Sequence, residues 1–73
     1  MARITIPSTV SGVVWQVAVA VGDEVSSGDT VIVVESMKME IVIESPVAGR
    51  VAALHVATDD AVDEGQALLE IDG

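Results

Sequence analysis

A chain of 73 residues has room for one domain, and residues 1–73 are read here as a single unit. With no cysteine and one histidine it has neither a disulfide framework nor the ligands of a structural zinc site, so an apolar core must hold it together. The formal charge of −9, from 12 acids against Arg3, Lys38 and Arg50, repels phosphate backbones and anionic bilayers and argues against nucleic-acid and membrane partners.

Valine dominates the apolar residues, and Trp15 is the only aromatic. β-Branched side chains at this density favour strands over helices, and no window carries a helical period, so the fold is expected to be all-β. The first strand is Ile4-Thr5-Ile6, closed by Pro7, which cannot donate to a ladder. Gly12 opens a second strand, Val13 to Val19, apolar at every odd position. Gly22-Asp23 and Ser26-Ser27-Gly28-Asp29 are turn chemistry around a short extended piece at Val25, and Val31 to Glu35 is the next strand. The remaining strands are Glu40 to Glu44, Arg50 to Val56, a short piece at Val62, and Ala67 to Ile71. The start lacks a signal-peptide apolar region, and the longest uninterrupted apolar run, Val17 to Val21, is far short of a membrane span; a soluble, cytoplasmic chain is the expectation.

The second half repeats the first at a shift of 37 positions. Ile4 to Gly12 aligns with Ile41 to Gly49, and Val14/Val51, Val25/Val62 and Gly28/Gly65 continue the match. Each half alone would expose an apolar face. Two such halves predict a flattened antiparallel barrel or sandwich of two four-stranded sheets with pseudo-two-fold symmetry. At position 59 an Asp replaces the repeat's Gly22; Asp tolerates left-handed geometry, so the turn is expected to survive.

Between the halves lies only Ser36-Met37-Lys38-Met39, a hairpin with Met37-Lys38 as its two-residue tip. Such tips favour Asn-Gly or Asp-Gly, because left-handed dihedrals cost other residues roughly 1–2 kcal/mol each. A local rule broken this way commonly marks a functional site. Lys38 is also the only lysine. A tip lysine can be a plain solubilising charge, but the only internal methionines flank this one. Two tip methionines cannot both fill a core, and soft apolar groups around one amine make a surface for a modifying enzyme to read.

The segment Glu35-Ser36-Met37-Lys38-Met39-Glu40 resembles the signature of biotinyl domains in biotin carboxyl carrier proteins and biotin-dependent carboxylases. Pro46-Val47-Ala48-Gly49-Arg50-Val51 and Val62 to Ile71 are similar to that family's second half, so the resemblance spans nearly the whole chain. It implies biotin in amide linkage to Lys38, at the exposed turn of a flattened eight-stranded barrel. It implies that a biotin protein ligase recognises Glu35, Met37 and Met39. It also implies that a biotin carboxylase loads the cofactor with a carboxyl group and a carboxyltransferase passes it on, often to an acyl-CoA. The chain would then be a non-catalytic carrier. Two features differ from the longer carriers: Val21 to Val25 runs straight through, so no inserted thumb is expected, and residue 1 already stands at the first strand, so the Ala/Pro-rich linker of long carriers is not expected here.

Two alternatives stay open at this point. A lipoyl carrier shares the fold and the tip lysine, although that family usually has Asp before the lysine and Ala after it. An unmodified interaction module could reuse the scaffold, although such modules commonly lose the lysine signature kept here. Other candidates read as structural. His55 has no second His or Asp at ligand spacing, and Asp59-Asp60 with Asp63-Glu64 fits no calcium loop. Glu35 and Glu40 flank a protruding turn, not a cleft, so they are not an acid–base pair. Trp15 is expected to pack against the sheet.

Overall fold

A computed structural model describes residues 2–73. Eight strands alternate with tight turns: β1 (Arg3–Pro7), β2 (Gly12–Val17), β3 (Glu24–Val25), β4 (Thr30–Ser36), β5 (Met39–Glu44), β6 (Gly49–Leu54), β7 (Ala61–Val62) and β8 (Ala67–Asp72). They form two four-stranded antiparallel sheets, ordered β1-β8-β6-β3 and β5-β4-β2-β7. A shift of 37 residues, forward for β1 and β3 and backward for β8 and β6, turns one order into the other, so the all-β sandwich and its pseudo-two-fold follow the repeat. The molecule measures 36 × 17 × 17 Å.

The core obeys the same symmetry. Its buried cluster has twelve members, six from each half: Ile6/Ile43, Val14/Val51, Val25/Val62, Val31/Leu68, Ile32/Leu69 and Val34/Ile71. Neither half could bury its six alone, so the halves fold as one unit. Backbone hydrogen bonds lock them reciprocally. Gly22 N–H donates to the Val51 carbonyl and Val51 N–H to that of Asp23, both at 2.8 Å. Asp59 N–H donates to Val14 and Val14 N–H to Asp60, again at 2.8 Å. Asp59 holds a left-handed φ of 77°, beside 96° for Gly22, so the turn survives the substitution as expected.

Sequence-based expectations fail in detail at two strands: β6 ends at Leu54 rather than Val56, and β2 departs further. β2 ends at Val17, and the odd positions before it do not face the core. Val14 is buried, whereas Val13 and Trp15 are exposed. The cause is a β-bulge: Val14 pairs with Val34 but Gln16 with Val33, which leaves Trp15 as the extra residue. An extra residue reverses the alternation, so a period-2 reading across it assigns the wrong face. Trp15, expected to pack against the sheet, is 51% exposed. The repeat carries the same bulge at Ala52, between Val51 and Ala53.

The outer face of the first sheet is laced with ion pairs. Arg3 donates through Nε to Asp72 at 3.0 Å, and the Arg50 guanidinium lies 3.3 Å from Glu24. The Arg3 hydrogen bond holds the Asp72 carboxyl below the usual carboxylate range, and the same bond raises the pKa of Arg3. His55, one residue past β6, lies 2.7 Å from the Glu70 carboxylate on this face.

Candidate functional site

The β4–β5 hairpin presents the only lysine. Ser36 pairs with Met39 and Glu35 with Glu40, so the turn is the two residues Met37 and Lys38. Both adopt left-handed dihedrals, φ 51° and 67°, as a twisted two-residue hairpin requires. The chain therefore stores backbone strain at this point. The counterpart of this turn under the pseudo-two-fold lies between β8 and β1, where Gly73 N–H donates to the Ala2 carbonyl at 3.0 Å. The tip is thus the junction between the two repeats.

Nothing in the fold needs these side chains. Met37 is 92% exposed and Met39 64%, and Lys38 and Glu35 are exposed as well. Among the described residues the ion pairs belong to Arg3, Arg50 and His55, and Lys38 takes part in none. The site is thus an accessible primary amine on a protruding turn of a rigid β scaffold, flanked by two flexible thioethers. A free amine with room on all sides is the group an acid-bearing cofactor requires for an amide bond, so the residues present fit biotin. Glu35, Met37, Lys38 and Met39 all lie on this one hairpin.

The strain makes a measurable prediction. The double variant Met37→Asn, Lys38→Gly supplies the residues a left-handed turn prefers, and it is expected to stabilise the fold by about 1–2 kcal/mol. The melting temperature, followed by circular dichroism, should rise by roughly 4–8 °C per kcal/mol. A melting temperature at or below that of the parent chain would refute the claim that the tip is strained.

Away from the tip there is no catalytic constellation among the described residues. A cavity of about 290 Å³ opens between edge strands β1 and β5, lined by Ile6, Pro7, Val42 and Ile43, with Glu44 as its only ionisable group. Asp60 in the acidic 59–64 segment accepts a hydrogen bond from Ala57 N–H at 2.9 Å, a turn-capping role. Glu35 and Glu40 stand opposite each other on an exposed ladder. Sequence reading did not single out Trp15 and Val42 as exposed neighbours of the hairpin. The repeat held that signal, because it aligns Trp15 with Ala52 and Val42 with Thr5.

Comparison with known proteins bears on this hairpin domain as a whole. Residues 2–71 match the biotin/lipoyl family, described as biotin-requiring enzymes. A biotin carboxyl carrier protein of Streptococcus mutans is 39% identical over 67 residues, which cover 92% of this chain and 52% of that protein. This chain thus spans about half the length of that relative. A biotin/lipoyl attachment protein of Bacillus subtilis is 38% identical over 68 residues, covering 93% of both chains. Among solved structures, the urea carboxylase of Kluyveromyces lactis superposes with a TM-score of 0.92 at 32% identity, covering 99% of this chain and 6% of the enzyme. A single-chain, multi-domain long-chain acyl-CoA carboxylase superposes with a TM-score of 0.88 at 29% identity, covering 93% of this chain and 7% of that enzyme. The chain belongs to the biotin-requiring biotin/lipoyl attachment family, as a non-catalytic carrier whose cofactor is covalently attached biotin.

Proposed function

We propose that Lys38 is the biotin attachment site and that the domain carries a carboxyl group from a biotin carboxylase to a carboxyltransferase, with an acyl-CoA as the final acceptor. The observation that carries this reading is the single lysine of the chain, exposed at a strained two-residue turn between two exposed methionines. When attached, biotin supplies the carboxyl-carrying chemistry, and the protein supplies position and delivery. The long Lys38 stem gives reach, and the paired strands β4 and β5 keep the turn projecting. Glu35, Met37 and Met39 surround the amine, so they are the groups a biotin protein ligase meets first. Binding to each enzyme should be weak enough to release the carrier, with co-assembly raising the effective concentration. The likeness to a long-chain acyl-CoA carboxylase supports the acyl-CoA acceptor.

The test is intact mass with peptide mapping after co-expression with a biotin protein ligase. A biotin-sized increment is expected on Lys38, and its complete loss in Lys38→Arg. A lipoyl-sized increment would replace the cofactor assignment, and an unmodified Lys38 under either ligase would overturn the carrier reading.

A further inference from the structure

The pseudo-two-fold gives every outward residue of one sheet a counterpart on the other, and the two outer faces differ. On the first sheet Arg3 and Asp72 stand opposite each other and pair at 3.0 Å. Their counterparts on the second sheet are Glu40 and Glu35, opposite each other on the β4–β5 ladder, two carboxylates with no ion-pair partner among the described residues. Like charges directly opposite on a ladder are destabilising. The same asymmetry extends along the face. Thr5, Ala52 and Arg50 on the first sheet become Val42, Trp15 and Val13 on the second, exposed by 50%, 51% and 42%. Val33, the counterpart of Glu70, lies between them in the register and is only 8% exposed, an apolar floor to the group. The fold does not require this pattern, because the other sheet does without it. An exposed apolar group bordered by unpaired charge of one sign marks a contact surface.

We propose that the outer face of the second sheet, Val13, Trp15 and Val42 with Glu35 and Glu40 at its tip-side margin, is where a biotin protein ligase seats the domain. The ligase meets it with an apolar patch bordered by Arg or Lys. This proposal rests on the reading of Lys38 as the attachment site. Three physical points favour that occupant. The face runs without interruption along β4 and β5 into the hairpin tip, so a protein holding Lys38 lies over it. A ligase acts on the domain before biotin is attached, so its affinity must come from protein surface; the carboxylase sites can also grip biotin itself. A second copy of this chain, at −9, would bring the same acids against Glu35 and Glu40.

The internal repeat designs the experiment. The triple variant W15A/E40R/V42T gives each position the residue its counterpart carries, namely Ala52, Arg3 and Thr5. The first sheet folds with these residues, and Glu40→Arg places a cation opposite Glu35, so the melting temperature should hold or rise. In steady-state biotinylation with a purified biotin protein ligase, KM for the triple variant is expected to rise about tenfold or more. The kcat should stay within about twofold, and the salt dependence of KM should weaken. Trp15→Ala and Val42→Thr alone, both outside the tip motif, should each raise KM several-fold, and they carry the test if the triple variant does not fold. Arg50→Gln, on the opposite outer face, should leave KM unchanged. The proposal is overturned if the wild type is biotinylated on Lys38 and the Trp15 and Val42 variants keep its KM, or if Arg50→Gln weakens it equally. A wild type that takes no biotin on Lys38 overturns the carrier reading itself, and this proposal with it.

Discussion

Replacing Leu69 with alanine is expected to lower the melting temperature by more than about 10 °C. Leu69 is fully buried, opposite Ile6 of β1 and Leu54 of β6, so it is held on both sides in its sheet. Removing a buried leucine side chain costs about 2–5 kcal/mol, the larger part of that range applying where neighbours cannot collapse into the space. Here they are strand residues fixed in ladders, and the β-branched side chains of this core have few rotamers to spare. A chain of 73 residues has roughly 4–11 kcal/mol of stability to lose. Ile32→Ala should behave alike, because Ile32 is the repeat partner of Leu69 and equally buried. Thermal unfolding by far-UV circular dichroism tests both. A loss under about 1 kcal/mol at either position would mean that the two halves do not share one core as the structure has it.

Gly12→Ala should be nearly as damaging for a different reason, and Gly49→Ala should match it. At Gly12 an added methyl would overlap the carbonyl oxygen of Glu35 and press on Val34; at Gly49 it would overlap the carbonyl of Asp72 and press on Ile71. The obstacle in each case is strand backbone, which cannot rotate away as a side-chain end would. β2 would have to part from β4, or β6 from β8, at a ladder that supports the core. Overpacking of this kind typically costs about 1–3 kcal/mol and occasionally more. The loss should show in urea unfolding as a lower midpoint with an unchanged slope. An unaltered midpoint for both variants would show that the strands have more freedom to separate than the structure implies. In Gly12→Ala the shift would also be felt at Glu35, two residues from the hairpin turn, so its biotinylation rate should fall along with its stability.

Much of this architecture was legible in the chain itself. Alternating and β-branched runs located the strands, and the 37-residue repeat implied two matched sheets before any pairing was known. The hairpin tip was legible for a chemical reason: Met37 and Lys38 are poor residues for the turn that their spacing demands, and both φ values are left-handed. The bulge at Trp15 was not legible. An extra residue in a strand leaves no mark on a local pattern, since Val13, Trp15, Val17 and Val19 keep their alternation in sequence whichever way they face.

The sequence by itself determined the fold class, the pairing of the halves and the place of the one lysine at a hairpin tip, because periodicity, turn chemistry, an internal repeat and a unique lysine can all be read along the chain. Only the tertiary structure decided which apolar residues form the core and which remain outside. Val14 enters the core while Trp15 and Val42 face outward. Those outcomes depend on register between strands, and register is set by the simultaneous burial of residues distant along the chain.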